Sequence, residues 1–206
     1  MACAICKTRR EKRHCPGVQG EICPTCCGTE REETVDCPLD CEYLQIAREH
    51  EVAENDPAGV PNQDFAVPEN FLEKNLELLT VLDYAILQGS LPRKAIDFDV
   101  REALDGLVRT YKALGSGLYY ESRPSNPISA AIYDGVQQQI AEIRTAENER
   151  GLHKIRDSDF LTALIFLQRL EYAINNGRRK GRAFLAQLLG AVPQPAERPS
   201  SSLIIS

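Results

Sequence analysis

The hydrophobic residues of this chain follow a helical period over most of its length. From residue 39 onwards, apolar side chains recur at intervals of three and four residues, which places them on one face of an α-helix. Almost no run alternates between apolar and polar residues with a period of two, so little β-sheet is expected. The pattern predicts helices that begin near residues 39, 68, 99, 128, 157 and 182.

Local signals predict where some of these helices start and stop. Gly89 follows the apolar face of the second helix and is interpreted as its stop, because glycine is favoured just after a helix. Asp99 and Glu102 have the D-x-x-E spacing of a capping box, which predicts that the third helix begins at Asp99. Long helices joined by short connections predict an all-α fold, an antiparallel helical bundle preceded by a small cysteine-rich zinc-binding module.

The chain is expected to divide into four parts. Residues 1–53 form the cysteine-rich zinc-binding module, which ends in a helix, and residues 54–67, rich in proline, form a linker. Residues 68–190 form the helical bundle. Residues 191–206, rich in proline and serine, form a C-terminal tail that is expected to be flexible.

All eight cysteines lie in the first fifth of the chain. The pairs Cys3/Cys6 and Cys23/Cys26 have the C-x2-C spacing of zinc knuckles, in which four thiolates hold one ion tetrahedrally. The other four cysteines are enough for a second ion. The predicted metal ligands are therefore Cys3, Cys6, Cys15, Cys23, Cys26, Cys27, Cys37 and Cys41, and two zinc ions are expected.

Two ways of sharing these cysteines between two ions are open. Cys26 and Cys27 are adjacent, and in an extended segment their side chains point in opposite directions, so we expect them to bind different ions. This favours an interleaved arrangement, in which the two C-x2-C pairs share one ion and the remaining four cysteines share the other. In the alternative, sequential arrangement, the first four cysteines along the chain share one ion.

Neighbouring residues add local expectations for the module. Pro38 suits the first position of a helix, so Cys37 and Cys41 are expected one turn apart at a helix start, where the dipole favours thiolates. Gly28 is expected to form a tight turn with positive φ. His14 is expected to lie beside the metal ligands or in solvent and not to replace Cys15.

Other uses of clustered cysteines fit the sequence less well. Disulfides need an oxidising compartment, but basic residues such as Lys7 and Arg9 stand where the apolar core of a signal peptide would lie. An iron–sulfur cluster would need a more closely spaced ligand series. A reactive thiol needs one or two activated cysteines, so a redox or metal sensor stays an alternative of lower rank.

The charge distribution leaves a nucleic-acid interpretation open without favouring it. Residues 7–14 are strongly basic, as are residues 178–182. Residues 1–50, however, contain seven Lys or Arg against nine Asp or Glu, and the whole chain has a formal net charge of −6. Cations beside a tetrathiolate site offset its negative charge, and this is the favoured purpose of residues 7–14.

Two segments of the head are similar to a known cysteine-rich arrangement. Residues 22–29, ICPTCCGT, and residues 37–44, CPLDCEYL, resemble the zinc-finger-like head of a group of uncharacterised bacterial proteins. The resemblance covers about the first quarter of the chain. It implies a metal-binding head and no particular activity.

Residues 68–190 contain no sequence pattern typical of an enzyme, such as a glycine-rich phosphate loop or a nucleophile elbow. No apolar run is long enough for a bilayer, and a cytoplasmic location is expected. The tail ends in Ser202, Leu203, Ile204 and Ile205, which resemble a short peptide that docks on a partner protein.

Together these patterns predict a non-enzymatic, zinc-binding interaction or scaffold protein whose tail contacts a partner. A zinc-finger nucleic-acid-binding regulator is the first alternative, and a thiol-based redox or metal sensor is the second. We expect no membrane partner.

Overall fold

The chain folds largely into helices. The computed structural model describes residues 2–51, 55–151 and 155–192. Within these ranges there is one two-stranded antiparallel sheet, formed by β1 (Arg13–Cys15) and β2 (Gly20–Ile22). The helices there are α1 (Pro24–Glu30), α2 (Glu42–Arg48), α3 (Phe71–Lys74), α4 (Leu76–Ser90), α5 (Asp97–Gly115), α6 (Pro127–Glu149), α7 (Asp157–Ile174) and α8 (Ala183–Ala191).

The first part of the chain, residues 2–51, forms a small head with its own core. The sulfurs of the cysteines pack there against a few apolar side chains, chiefly Ile22, Val35 and Leu44, each 6 % exposed or less. The helix predicted over residues 39–53 is shorter than expected, because α2 begins only at Glu42. Gly28 lies inside α1, so the prediction of a tight turn there was wrong.

The bundle is built from four long helices around one apolar core. Helix α4 packs against α6, and α5 packs against both α6 and α7. Most residues of the predicted apolar faces are buried, but Leu72 and Leu76, which were predicted to face inward, are 48 % and 60 % exposed. Side chains that are fully buried there include Leu82, Ile86, Leu104, Leu107, Ile132, Phe160, Leu164 and Phe184. The mostly helical fold is confirmed, whereas the antiparallel arrangement of the bundle stays a prediction.

Several predicted helix ends in the bundle differ from the structure. The helix predicted from residue 68 begins at Phe71 and is divided at Asn75 into α3 and α4. Gly89 does not stop a helix but lies within α4, where an added Cβ would stand 2.9 Å from the Cα of Ile132 in α6. This glycine therefore permits close packing of two helices. Helix α5 begins at Asp97, and the carboxylate of Asp99 accepts a hydrogen bond from the N–H of Ile96 at 3.0 Å, so Asp99 belongs to the first turn.

The segment predicted as a linker packs onto the bundle. Its described part, residues 55–67, lies against α7. The hydroxyl of Tyr172 donates to the carbonyl of Asp56 at 2.8 Å, and the guanidinium of Arg169 donates to the carbonyls of Asn62 and Phe65. The connection from head to bundle is therefore anchored along much of its length.

The head docks on the bundle through Glu32, whose side chain is fully buried. Its carboxylate accepts hydrogen bonds from the guanidinium of Arg48 at 2.8 Å, the amide of Asn176 at 2.9 Å and the N–H of Arg182 at 3.0 Å. Its carbonyl accepts the N–H of Lys180 at 2.6 Å. Residues 176–182 thus bind the head directly.

The basic segment 178–182 is used for this docking. The guanidinium of Arg182, 7 % exposed, donates to the carbonyls of Cys37, Lys94 and Ala95 and pairs with Asp36. Arg178 donates to a head carbonyl and pairs with a head carboxylate. Most of the cations in this segment are therefore bound within the chain and are not presented together on a free surface.

Within the described ranges, none of the helices combines the length and the hydrophobicity that crossing a lipid bilayer requires.

Candidate metal centre

The first candidate site is a compact group of four cysteines. One sulfur from each of Cys3, Cys6, Cys23 and Cys26 contributes, and these sulfurs all lie within 4.8 Å of one another. With Zn–S bonds of about 2.3 Å, the sulfurs of a tetrahedral site are about 3.8 Å apart, so only a small contraction is needed to bind zinc. The group can hold one metal ion.

Short elements of the head bring these cysteines together. The hairpin of β1 and β2 delivers the chain to Cys23, which caps the start of α1. Pro24 occupies the first position of α1, where its missing N–H costs nothing. The N–H of Cys26 then donates to the sulfur of Cys23 at 3.4 Å, and the N–H of Cys23 donates to the sulfur of Cys3 at 3.2 Å.

Hydrogen bonds prepare some of these thiols for ionisation. The Thr8 hydroxyl and the N–H groups of Arg9 and Thr8 lower the pKa of Cys6 to about 5. Burial raises the pKa of Cys3, but N–H donors, including that of Cys23, outweigh it, so this pKa lies below its usual value. Backbone donors and a hydroxyl, more than the basic side chains of residues 7–14, thus stabilise the negative sulfurs.

The pKa of Cys26 is shifted in the opposite direction, upwards. Burial, together with the neighbouring sulfurs, raises its pKa to about 12. Thiolates packed this closely repel one another, so the fourth thiol loses its proton readily only when a cation shares the site. The electrostatics of the group therefore match a multivalent cation better than four free thiolates.

The other four cysteines surround a second, smaller space. Cys15, Cys27, Cys37 and Cys41 all line one cavity of about 20 Å³. A single water molecule needs about 10–15 Å³ by the same kind of measure, so the cavity has room for one small ion. Their sulfurs are less tightly gathered, because in the described parts of the chain only the first group has four sulfurs within 4.8 Å of one another.

In this second group, burial and neighbouring charges both raise the pKa of Cys37. Its pKa is raised first by burial, and the charges of Cys15, Glu32 and Cys41 act in the same direction. The N–H of Glu32 donates to the sulfur of Cys37 and opposes this rise. As in the first group, a backbone N–H therefore stabilises a cysteine sulfur. In this case the N–H belongs to Glu32, whose side chain binds the head to the bundle.

The structure separates Cys26 and Cys27 by a different geometry from the one predicted. They lie on helix α1, where consecutive side chains point about 100° apart, and not on an extended segment. Cys26 joins the first group and Cys27 the second cavity. Helix α1 was missed because its seven residues contain glycine, two cysteines and two threonines and show no helical apolar period.

The expected placement of Cys37 and Cys41 on the first turn of a helix was wrong. Helix α2 begins at Glu42 with Cys41 as its cap, and Cys37 lies in the preceding loop. Pro38 therefore precedes the helix. His14 is largely exposed and pairs through Nδ1 with Glu21 at 3.2 Å, although it also lines the rim of the second cavity.

All eight cysteines are free thiols, so the head contains no disulfide bond. The residues predicted to contact a partner, Ser202, Leu203, Ile204 and Ile205, lie outside the described part of the chain.

No protein-family model, no curated protein and no solved structure matches this chain. The resemblance of the cysteine-rich head therefore adds no function to the geometry of the site.

Proposed function

We propose that this chain is a non-enzymatic interaction protein whose head is held together by structural zinc. The observation that carries the proposal is the group formed by Cys3, Cys6, Cys23 and Cys26, whose sulfurs lie within 4.8 Å of one another. Four thiolates with no open ligand position are typical of structural zinc sites, whereas catalytic zinc keeps one position for water or substrate.

A second zinc ion is proposed among the remaining cysteines. The shared lining of one ion-sized cavity by Cys15, Cys27, Cys37 and Cys41 supports this assignment. The same division of the eight cysteines favours the interleaved arrangement over the sequential one. Both ions then act on a head of about fifty residues, which is near the size below which domains commonly need metals or disulfides to fold.

The head and the bundle together are proposed to serve as a rigid platform. Zinc supplies folding free energy to the head, and Glu32 attaches the head to residues 176–182. We propose that a protein partner binds through the tail, with Ser202, Leu203, Ile204 and Ile205 as the contact residues. An aliphatic segment on a polar tether is suited to adding a strand to a sheet edge or to filling a groove.

Metal content tests the proposal most directly. We expect purified full-length protein to contain two zinc ions per chain by elemental analysis. A strong chelator should remove both ions and unfold the head while most of the helical circular dichroism signal remains, because the long helices of the bundle have their own core. A head that keeps its fold without any metal would overturn the proposal.

Paired substitutions separate the two arrangements of ligands. Cys6→Ser with Cys26→Ser removes ligands from a single ion if the sites are interleaved, so one zinc ion should remain. The same pair removes ligands from both ions if the sites are sequential, and no zinc should remain. Cys6→Ser with Cys15→Ser is the matched control, for which the two arrangements predict the reverse result.

A further inference from the structure

A groove lined by both apolar and polar side chains lies where the head meets the bundle. Its volume is about 780 Å³, within the range of about 300–1,000 Å³ that is usual for ligand pockets. The head contributes Val18 and Leu39, and the bundle contributes Leu91, Leu185 and Leu189. The groove is therefore built from both units and exists only when the head is docked.

Several features show that the groove lacks a covering group among the described residues. Val18 and Leu91, both large and apolar, are 38 % and 41 % exposed. Gln19 and Gln45, which also line the groove, are exposed as well. A lining that combines apolar side chains with amides such as those of Gln19 and Gln45 is suited to a short aliphatic peptide segment, whose backbone offers both donors and acceptors.

The position of helix α8 indicates which segment this is. Leu185 and Leu189 line the groove, and α8 ends at Ala191, two residues after the last of them. Residues 193–206 follow and lie outside the described part of the chain. Their sequence is polar until Leu203, Ile204 and Ile205.

The length of the intervening chain allows the aliphatic residues to return to the groove. Leu203 follows Val192 by eleven positions, and at about 3.3–3.6 Å per residue this stretch spans at most about 36–40 Å. A groove of 780 Å³ that begins beside α8 lies well within this reach. A short tether also gives the segment a local concentration of the order of millimolar, which favours contact within one chain over contact between chains.

We propose that residues Leu203–Ile205 of the same chain bind in this groove when no partner is present. Their side chains cover Val18 and Leu91, and the peptide backbone pairs with polar groups of the lining such as the Gln19 and Gln45 amides. A protein partner that binds the tail then has to compete with the groove, so the groove regulates access to the tail. The regulatory part of this inference rests on the proposed function, in which the tail binds a partner, whereas binding of the tail in the groove does not depend on that partner or on the identity of the metal.

Tryptophan fluorescence tests the proposal, because the chain contains no tryptophan. Full-length Ile204→Trp carries one reporter in the aliphatic segment, and Ser200→Trp carries one in the polar tether. We expect the emission of Ile204→Trp to be blue-shifted and less quenched by acrylamide than that of Ser200→Trp. Equal emission maxima and equal quenching of the two variants would overturn the proposal.

Charge substitutions in the groove provide the second arm. Val18→Glu and Leu91→Glu, each added to Ile204→Trp, change partly exposed side chains on opposite walls, one in the head and one in the bundle. Each should shift the emission to that of Ser200→Trp while zinc content and circular dichroism stay unchanged. Leu118→Glu is the matched control, since Leu118 is 63 % exposed and does not line the groove, and it should leave the emission unchanged.

The dependence on protein concentration distinguishes binding of the tail within one chain from binding to a second copy. Binding within the chain predicts a blue shift that is independent of concentration and a monomeric elution volume. A blue shift that grows with concentration together with a dimer would show that the tail occupies the groove of a second copy, which contradicts the proposal. Zinc content is measured separately, so failure of this proposal and failure of the proposed function are distinguishable.

Discussion

The Glu32 carboxylate is the single side chain on which the attachment of the head depends most. It is fully buried, and three donors from two parts of the chain converge on it. Its backbone has a positive φ of 54°, which is uncommon for a residue other than glycine and is maintained only where the surrounding contacts fix it. The sequence does not single out this glutamate, because Glu33 beside it has the same chemistry.

Substitution of Glu32 tests its contribution to stability. Glu32→Ala leaves the Arg48 guanidinium, the Asn176 amide and the Arg182 N–H without their acceptor. We expect the free energy of unfolding to fall by about 3–5 kcal/mol, as is usual when one partner of a buried ion pair is removed. Urea denaturation measures the change. Glu33→Ala is the control, and it should change the free energy of unfolding by no more than about 0.5 kcal/mol.

At the scale of whole elements, the apolar period predicted the long helices well, because α5, α6 and α7 owe their positions to burial of one face. It did not predict α1, whose position depends on sulfur and on backbone N–H groups instead of apolar contacts. The C-x2-C spacing indicated which cysteines meet in the first group. No comparable local signal revealed that Cys15, Cys27, Cys37 and Cys41 share a cavity, because loops and a hairpin bring them together.

Glycine at position 89 also shows why local signals mislead. Its sequence context is that of a helix end, yet its role depends on Ile132 of helix α6, which follows it by more than forty residues. We expect Gly89→Ala to lower the free energy of unfolding by about 2 kcal/mol, since overpacking costs up to about 3 kcal/mol and alanine returns about 1 kcal/mol of helix propensity. Thermal or urea denaturation measures this.

A matched glycine in α6 provides the control. An added Cβ at Gly135 would lie 3.8 Å from the carbonyl oxygen of Ala85, an ordinary contact distance. Gly135→Ala should therefore leave stability unchanged or raise it by up to about 1 kcal/mol. If both variants lost the same free energy of unfolding, close packing of α4 on α6 would not be the reason that position 89 requires glycine.

At the scale of the molecule, the cysteines of the head and the bundle are connected through a few shared residues. Glu32 donates its N–H to Cys37, while its carboxylate and carbonyl bind residues 176–182. The carbonyl of Cys37 also accepts a hydrogen bond from Arg182 at 3.1 Å. Loss of metal from the head should therefore weaken the hydrogen bonds that residues 176–182, the segment before α8, form with the head.

Hydrogen exchange measures this connection. The N–H groups of Lys180 and Arg182 are bound by Glu32, so they should be protected from exchange in the zinc-loaded protein and lose this protection on chelation. Amides in the middle of α6, such as that of Ile140, should keep theirs. Added zinc should restore the original pattern. Unchanged exchange at Lys180 and Arg182 after chelation would show that docking does not require the metal.

The distance along the chain between Glu32 and its partners has a consequence for synthesis on the ribosome. Arg182 follows Glu32 by 150 residues, which takes roughly 8–30 s at about 5–20 residues per second. During that interval only Arg48, among the three donors to the carboxylate, has been made. Until the rest of the chain is made, the surface of the nascent head around Glu32 has no bundle to bind, so we expect it to stay exposed to water, proteases and chaperones.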